Sequence, residues 1–308
     1  MKKQLLINAV VFLTVTFLLN GEIQAQQQQW VWIKGDSSVN QRGVYGSAGV
    51  ASANNKPGAR GEAMSWKDKS GNFWMFGGMG YGTGNSAGPL NDLWKYNASI
   101  NQWTWMKGPQ LPSGNPVYGV KGVSSASNIP GARQMSATWI DTNGNLWLFG
   151  GSGSAYFNDL WKYDAGTNQW TWIHGDNTGN KNGVYGSKTV AAPGNKPGAR
   201  ANAVSWTDQQ GNLWLFGGNG YAASGIGGRL NDLWKYNVTA NEWTWMNGDS
   251  VTQCVAVYGT KNIAAVSNKP GARIGACGWT DESGNLWLFG GIGYTSVYGM
   301  LNDLWKYD

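Results

Sequence analysis

Asn158-Asp159-Leu160-Trp161-Lys162-Tyr163, followed by Trp170-Thr171-Trp172, is the stretch of this chain on which its fold turns. Side chains alternate across an extended backbone, so Trp161 and Tyr163 share one face, and so do Trp170 and Trp172. Between the two runs lies Asp164-Ala165-Gly166-Thr167-Asn168, a cluster of turn residues. Two β-strands joined by a short turn are the reading.

The stretch recurs. Asn-Asp-Leu-Trp-Lys-Tyr also begins at Asn91, Asn231 and Asn302, and Trp-x-Trp also follows at Trp103 and Trp243. Upstream, Pro-Gly-Ala-Arg occupies residues 57–60, 130–133, 197–200 and 270–273. A Gly-Gly pair, starting at Gly77, Gly150, Gly217 and Gly290, lies 17 residues beyond each Arg. Before Gly-Gly, runs such as Leu146-Trp147-Leu148-Phe149 alternate as strands do. Each unit therefore reads as four strands: a after the Arg, b before Gly-Gly, c through Leu-Trp-Lys-Tyr and d through Trp-x-Trp. Neither face of such a sheet is polar throughout, so each sheet needs cover on both sides. Radial stacking of like sheets supplies it. The expected fold class is all-β, a β-propeller built of four-stranded antiparallel blades with four repeats visible.

The Gly-Gly pair, and then a Tyr followed by a Trp seven residues later (Tyr96 and Trp103, Tyr163 and Trp170, Tyr236 and Trp243), resemble the kelch signature. The Pro-x-x-Arg opening of strand a is similar too. The resemblance covers residues 29 to 308 and implies a kelch-repeat propeller, related in fold to the propeller domain of galactose oxidase. The units depart from the family in length, at 67–73 residues against about 50. Kelch propellers also usually carry six or seven blades.

The ends bear on blade number. Gln29-Trp30-Val31-Trp32-Ile33-Lys34-Gly35 matches residues 102–108, a lone strand d ahead of the first unit. The last unit reaches Asp308 where a strand d is due. Two readings stay open: residues 29–34 supply strand d of the last blade and close a four-bladed ring, or this is a longer propeller cut short; a fragment of a larger cell-surface protein is a further possibility.

Further upstream, Lys2 and Lys3 precede an apolar run from Leu5 to Leu19 and then Ile23-Gln24-Ala25. That pattern is a signal peptide over residues 1–25, leaving 26–308 as the propeller. The expected location is secreted, periplasmic or cell-surface, with no membrane span after cleavage. Without Lys2, Lys3 and Glu22 the chain holds 21 basic and 16 acidic residues, a net charge of +5. No basic cluster accompanies that excess, so no nucleic-acid partner is expected. With 20 Trp and only 13% charged residues, disorder is excluded.

Only the b–c loops change length: 12 residues at 79–90, 6 at 152–157, 12 at 219–230 and 10 at 292–301. In an up-and-down blade they leave the same face as the d–a segments, each of which carries Val-Tyr-Gly (Tyr45, Tyr118, Tyr185, Tyr258). Function favours variable loops over a constant scaffold. Tyr81, Tyr156, Tyr221, Tyr294 and Tyr298 sit there among small polar residues, with Arg229 in the third loop. Rigid amphipathic rings beside such residues suit recognition of a glycan or a protein. Strand a is innermost, so Arg60, Arg133, Arg200 and Arg273, with Glu62 two residues past the first, would approach the channel mouth and could hold an anion. The equally regular Asp92, Asp159, Asp232 and Asp303 would instead satisfy each Arg bidentately.

Catalytic chemistry finds little support. Asp68, Asp141, Asp208 and Asp281 each precede x-x-Gly-Asn. This resembles the sialidase Asp-box turn with one extra residue, and an Asx turn explains it. Outside the repeated positions only Glu62, Glu242 and Glu282 remain, and one Glu at the channel does not make a glycosidase pair. His174 is the single His and takes the place of Lys34, Lys107 and Asn247, which reads as a surface substitution. A copper site of the galactose oxidase kind needs two His, so neither a metal nor any cofactor is expected. Whether Cys254 and Cys277 pair stays open. The expected function is an exported, non-enzymatic binding module for a glycan or extracellular protein, acting through the b–c and d–a loop face. The alternative is a carbohydrate-active hydrolase or lyase at the channel mouth, built on Glu62 and the Arg ring.

Overall fold

Alternation and turn chemistry put strands where the repeat places them. The computed structural model describes residues 29–308; the signal-peptide reading of residues 1–25 lies outside the described residues. The chain divides into Met1–Lys34 and Gly35–Asp308. In the second unit four antiparallel sheets are arranged as a four-bladed β-propeller, all-β among the described residues.

Blade one holds β1 (Ala51–Ser52), β2 (Arg60–Gly61), β3 (Met64–Lys67), β4 (Phe73–Tyr81), β5 (Ala87–Asn97) and β6 (Gln102–Lys107). Blade two holds β7 (Ala137–Ile140), β8 (Leu146–Phe149), β9 (Leu160–Asp164) and β10 (Gln169–His174). Blade three holds β11 (Arg200–Ala201), β12 (Val204–Thr207), β13 (Leu213–Gly220), β14 (Gly228–Asn237) and β15 (Glu242–Asn247). Blade four holds β16 (Arg273–Ile274), β17 (Cys277–Thr280), β18 (Leu286–Tyr294) and β19 (Tyr298–Tyr307). Strands a to d are thus β3 to β6, β7 to β10 and β12 to β15, and the last blade has a to c as β17 to β19. Among the described residues no strand d lies beyond β19.

The Gly-Gly pair bends strand b without ending it. Gly77 and Gly78 have φ of 62° and 93°, where a Cβ is penalised. A Cβ on Gly77 would also sit 2.6 Å from the Arg133 carbonyl oxygen of the next blade. The register slips there between Phe76 and Gly78, and pairing then resumes out to Tyr81 opposite Ala87. Blades three and four do the same, to Gly220 opposite Gly228 and Tyr294 opposite Tyr298. The intervals 79–90 and 292–301 are therefore mostly β-ribbon rather than loop, because a bulge leaves the ladder free to continue, and 219–230 is ribbon at both ends around a non-strand stretch at 221–227. In blade two the connection continues no strand, and Ser152 there bridges Gln134 and Tyr156.

Blades pack face to face through aromatics. Trp66, Trp74 and Phe76 of blade one meet Leu146, Leu148, Trp161 and Tyr163 of blade two, and like clusters join two to three and three to four. Strand a locks each joint: the Trp66 indole donates to the Trp147 carbonyl at 3.2 Å, Trp139 to Trp214 at 3.1 Å and Trp206 to Trp287 at 3.1 Å. Each ring so buried contributes roughly 4–6 kcal/mol as an upper bound. The corresponding residues of blade four are open: Trp279 is 53% exposed, against 3–7% for its three counterparts.

The N-terminal segment, taken by itself, forms no strand over residues 29–33, and Trp30 and Trp32 are exposed. Both cysteines are free thiols, Cys254 half-buried and Cys277 exposed.

Candidate functional site

The repeated charges are built into the blades. The Arg133 guanidinium binds Asp159 through two bonds of 2.6 and 2.8 Å, and it also donates to the Gly131 and Gly150 carbonyls. Arg60–Asp92, Arg200–Asp232 and Arg273–Asp303 repeat the arrangement. All four Arg side chains are at most 4% exposed. The four cations are thus spent on strand c of their own blade, and their guanidinium groups are closed off from solvent. This is the bidentate reading that the spacing of Arg and Asp offered. Each Asp is shared further, accepting from the indole of the next-but-one Trp (Trp94, Trp161, Trp234, Trp305) and from the Val-Tyr-Gly tyrosine. Burial beside that carboxylate pushes the Tyr45, Tyr118 and Tyr185 hydroxyls well above the usual phenol range. These tyrosines are structural members that the sequence reading left unassigned. Their signal was the constant 15 residues from each Tyr to its Arg.

The a–b turn aspartates are equally occupied. Asp141 Oδ1 accepts the Asn143 and Asn145 backbone N–H groups, and Oδ2 accepts the Asn145 amide and the Trp147 indole. Asn285 and Trp287 donate to Asp281 in the same way and hold its pKa down to about 2. The Asx turn therefore accounts for this position. His174 is not on the surface as expected. It is half-buried near Tyr236, its Nδ1 accepts the Gly175 N–H at 2.8 Å, and burial with the nearby Lys121 charge lowers its pKa to about 4.

Glu62 lies between β2 and β3. It is exposed and lines a cavity of about 270 Å³ with Met64, Met135, Ser136 and Asn202. Glu62, Met135 and Asn202 hold the same repeat position, two past the Arg, with φ of 56°, 55° and 57°. Their backbones chain together, Met135 N–H to the Glu62 carbonyl and Asn202 N–H to the Met135 carbonyl. The fourth copy is Gly275. A left-handed backbone is thus kept with three unlike side chains, and Arg60 does not join Glu62 there.

The ribbon tips form the other cluster. They are laced to the d–a segments on the same face: Gly43 N–H donates to the Gly82 carbonyl, Thr83 N–H to Gln110 and Ala223 N–H to Ser250. Tyr156 and Tyr221 meet edge to face at 6.4 Å, and the Asn219 amide donates to the Tyr156 hydroxyl at 2.7 Å. Tyr294 and Tyr298 lie 5.2 Å apart, and Arg229 of blade three stacks 4.5 Å above Tyr298 and donates to its hydroxyl. Tyr298 remains 50% exposed, with Val297 at 69% and Ile226 at 78% nearby in the ribbon turns. The tyrosines expected to act together are therefore two groups, one between blades two and three and one between three and four. Tyr81 belongs to neither.

Among the described residues no cluster of three or more His, Cys, Asp or Glu is placed to hold a metal. No protein-family model and no curated protein matches this chain. The class that fold and site define is a tryptophan-rich β-propeller.

Proposed function

We propose that this chain is an exported, kelch-type, non-enzymatic binding module that recognises a glycan or an extracellular protein through the ribbon tips. The observation that carries this reading is the Arg229–Tyr298–Tyr294 group. It is a cation and two rings held across two blades, preorganised before any ligand arrives and still half open to solvent. Rings fixed in this way offer contact area at little cost in ordering. Every acid at the repeated strand-c and a–b turn positions is engaged in structural bonds, which favours binding over chemistry. The kelch assignment is supported by the glycine bulge after strand b and by the signature Tyr stacked on its Trp, 5.0 Å for Tyr96 and Trp103. Export rests on the pattern of residues 1–25.

A hydrolase or lyase reading keeps Glu62 in its left-handed turn but loses the Arg ring that would have accompanied it. Arrays of glycans and of extracellular proteins test the proposal. Arg229→Ala and Tyr298→Ala should each abolish binding while leaving the melting temperature within a few degrees of the parent. Undiminished binding by both variants would reject the ribbon tips as the site.

A further inference from the structure

The fold gathers a charge that the sequence scatters. The ribbon intervals 79–90, 152–157, 219–230 and 292–301 contain no Asp or Glu, and Arg229 is their one charged residue. The d–a segments beside them, residues 35–56, 108–129, 175–196 and 248–269, add eight Lys or Arg and three Asp. All three Asp are already paired: Asp36 with Lys56 at 2.5 Å, Asp176 with Lys196 at 2.7 Å and Asp249 with Lys269 at 2.6 Å. Six cations are left without a carboxylate partner among the described residues. Of these, Arg42 and Lys181 are exposed and stand close to the ribbons, where Gly43 N–H donates to the Gly82 carbonyl and Gly183 N–H to that of Ala222. At the opposite end of the strands the a–b turns, residues 68–72, 141–145, 208–212 and 281–285, hold five carboxylates against Lys69. The positive charge of the chain is thus concentrated at the ribbon end.

Arg229 breaks the repeat. Pro89, Tyr156 and Met300 hold its position in the other units, each one residue before the Leu or Phe that ends the interval, so the blade frame needs no cation there. Unlike the four buried Arg, it meets no carboxylate among the described residues, and its Nε has no acceptor. Across the third ribbon it pairs with Asn219. Asn219 donates to the Tyr156 hydroxyl of blade two, and Arg229 to the Tyr298 hydroxyl of blade four. The third ribbon thereby links the two tyrosine groups into one track of rings and hydroxyls. We infer that this face takes an acidic polysaccharide, a chain whose sugar units carry carboxylates or sulfates. The inference rests on the ribbon tips being the binding site and names the class of ligand they take. An anionic group supplies the charge that Arg229 lacks. Tyrosine offers an apolar ring to the face of a sugar and a hydroxyl to its polar rim. The surrounding cations draw a polyanion towards the face. Charge alone would serve any polyanion; the rings and hydroxyls, spread over three blades, favour a chain of sugars.

Titrating the purified protein with polygalacturonate and its neutral methyl ester, and with dextran sulfate and dextran, tests this. At least one acidic chain should bind about tenfold or more tighter than its neutral counterpart, the worth of a hydrogen bond to a charged group. Added salt should shrink that difference. Which acidic chain binds distinguishes carboxylate from sulfate. Arg42→Ala/Lys181→Ala should weaken the acidic chain roughly two- to tenfold without moving the melting temperature. Arg229→Lys, which keeps the charge, should hold that chain better than Arg229→Ala. Equal binding of acidic and neutral chains overturns the inference and leaves the ribbon-tip reading standing. Duplex DNA or polyglutamate bound as tightly as the acidic chain overturns it too, because charge alone then suffices. Capture of an extracellular protein with no polysaccharide bound does the same. If neither polysaccharide nor protein is bound, the inference and the reading beneath it fall together.

Discussion

At the residue scale, Arg133 engages four protein acceptor atoms from a fully buried position. Removing one member of such a pair strands the other, which costs about 3–5 kcal/mol. Arg133→Ala should therefore lower the denaturation midpoint by that equivalent. Arg133→Lys should rescue little, because an ammonium cannot span both Asp159 oxygens. His174 sets a pH limit of the opposite origin. Its folded pKa near 4 lies below the unfolded value of about 6.5. The neutral ring thus stabilises the fold above pH 6.5, and that contribution is lost as pH falls from 6.5 towards 4, amounting to at most about 3 kcal/mol. His174→Asn, the residue standing at position 247, should flatten stability across that window when denaturation is followed at pH 7, 5.5 and 4.

At the element scale, the a–b turn is a carboxylate clasp. Asp141→Ala removes the acceptor of the Trp147 indole and of the Asn145 amide and backbone, which should cost about 1.5–3 kcal/mol in chemical denaturation. Asp141→Asn should recover part of it, since its Oδ1 still accepts the backbone N–H groups. Strands a to d were legible because alternation, turn residues and a repeated motif agree over each unit. The clasp and the Arg–Asp pairs were legible from spacing alone. The ribbons were not: Gly-Gly ends a strand by ordinary propensity, and only the register shift at Phe76 and Gly78 reveals that the ladder resumes. Tyr45 and its equivalents were hidden for another reason, since their partner Asp lies 45–47 residues away in the structure's bonds, or 41 for Tyr118. His174 was misplaced because Lys at the same repeat position suggests solvent, whereas the imidazole lies half-buried against Tyr236.

At the scale of the whole molecule, repeated sheets make stability a sum of blade and joint terms. The three joints share one design of Trp, Leu and Tyr, so the twenty tryptophans are chiefly packing material. What varies over that constant frame is the ribbon face and the left-handed position held by Glu62, Met135 and Asn202. These are the two places where a ligand would find side chains not already committed. They also separate the two functional readings, since the ribbon tips hold rings and a cation, and the cavity beside Met64 and Met135 is lined by one carboxylate, that of Glu62. Shortening the third ribbon by deleting residues 222–227 should remove binding and leave the blades folded, as read by far-UV circular dichroism. The most direct measurement incubates the purified protein with each glycan or protein it retains on the array and follows the bound molecule by mass spectrometry. A binding module predicts retention with no change in ligand mass over prolonged incubation, in the parent and in Glu62→Gln alike. Product formed by the parent and abolished in Glu62→Gln would contradict it.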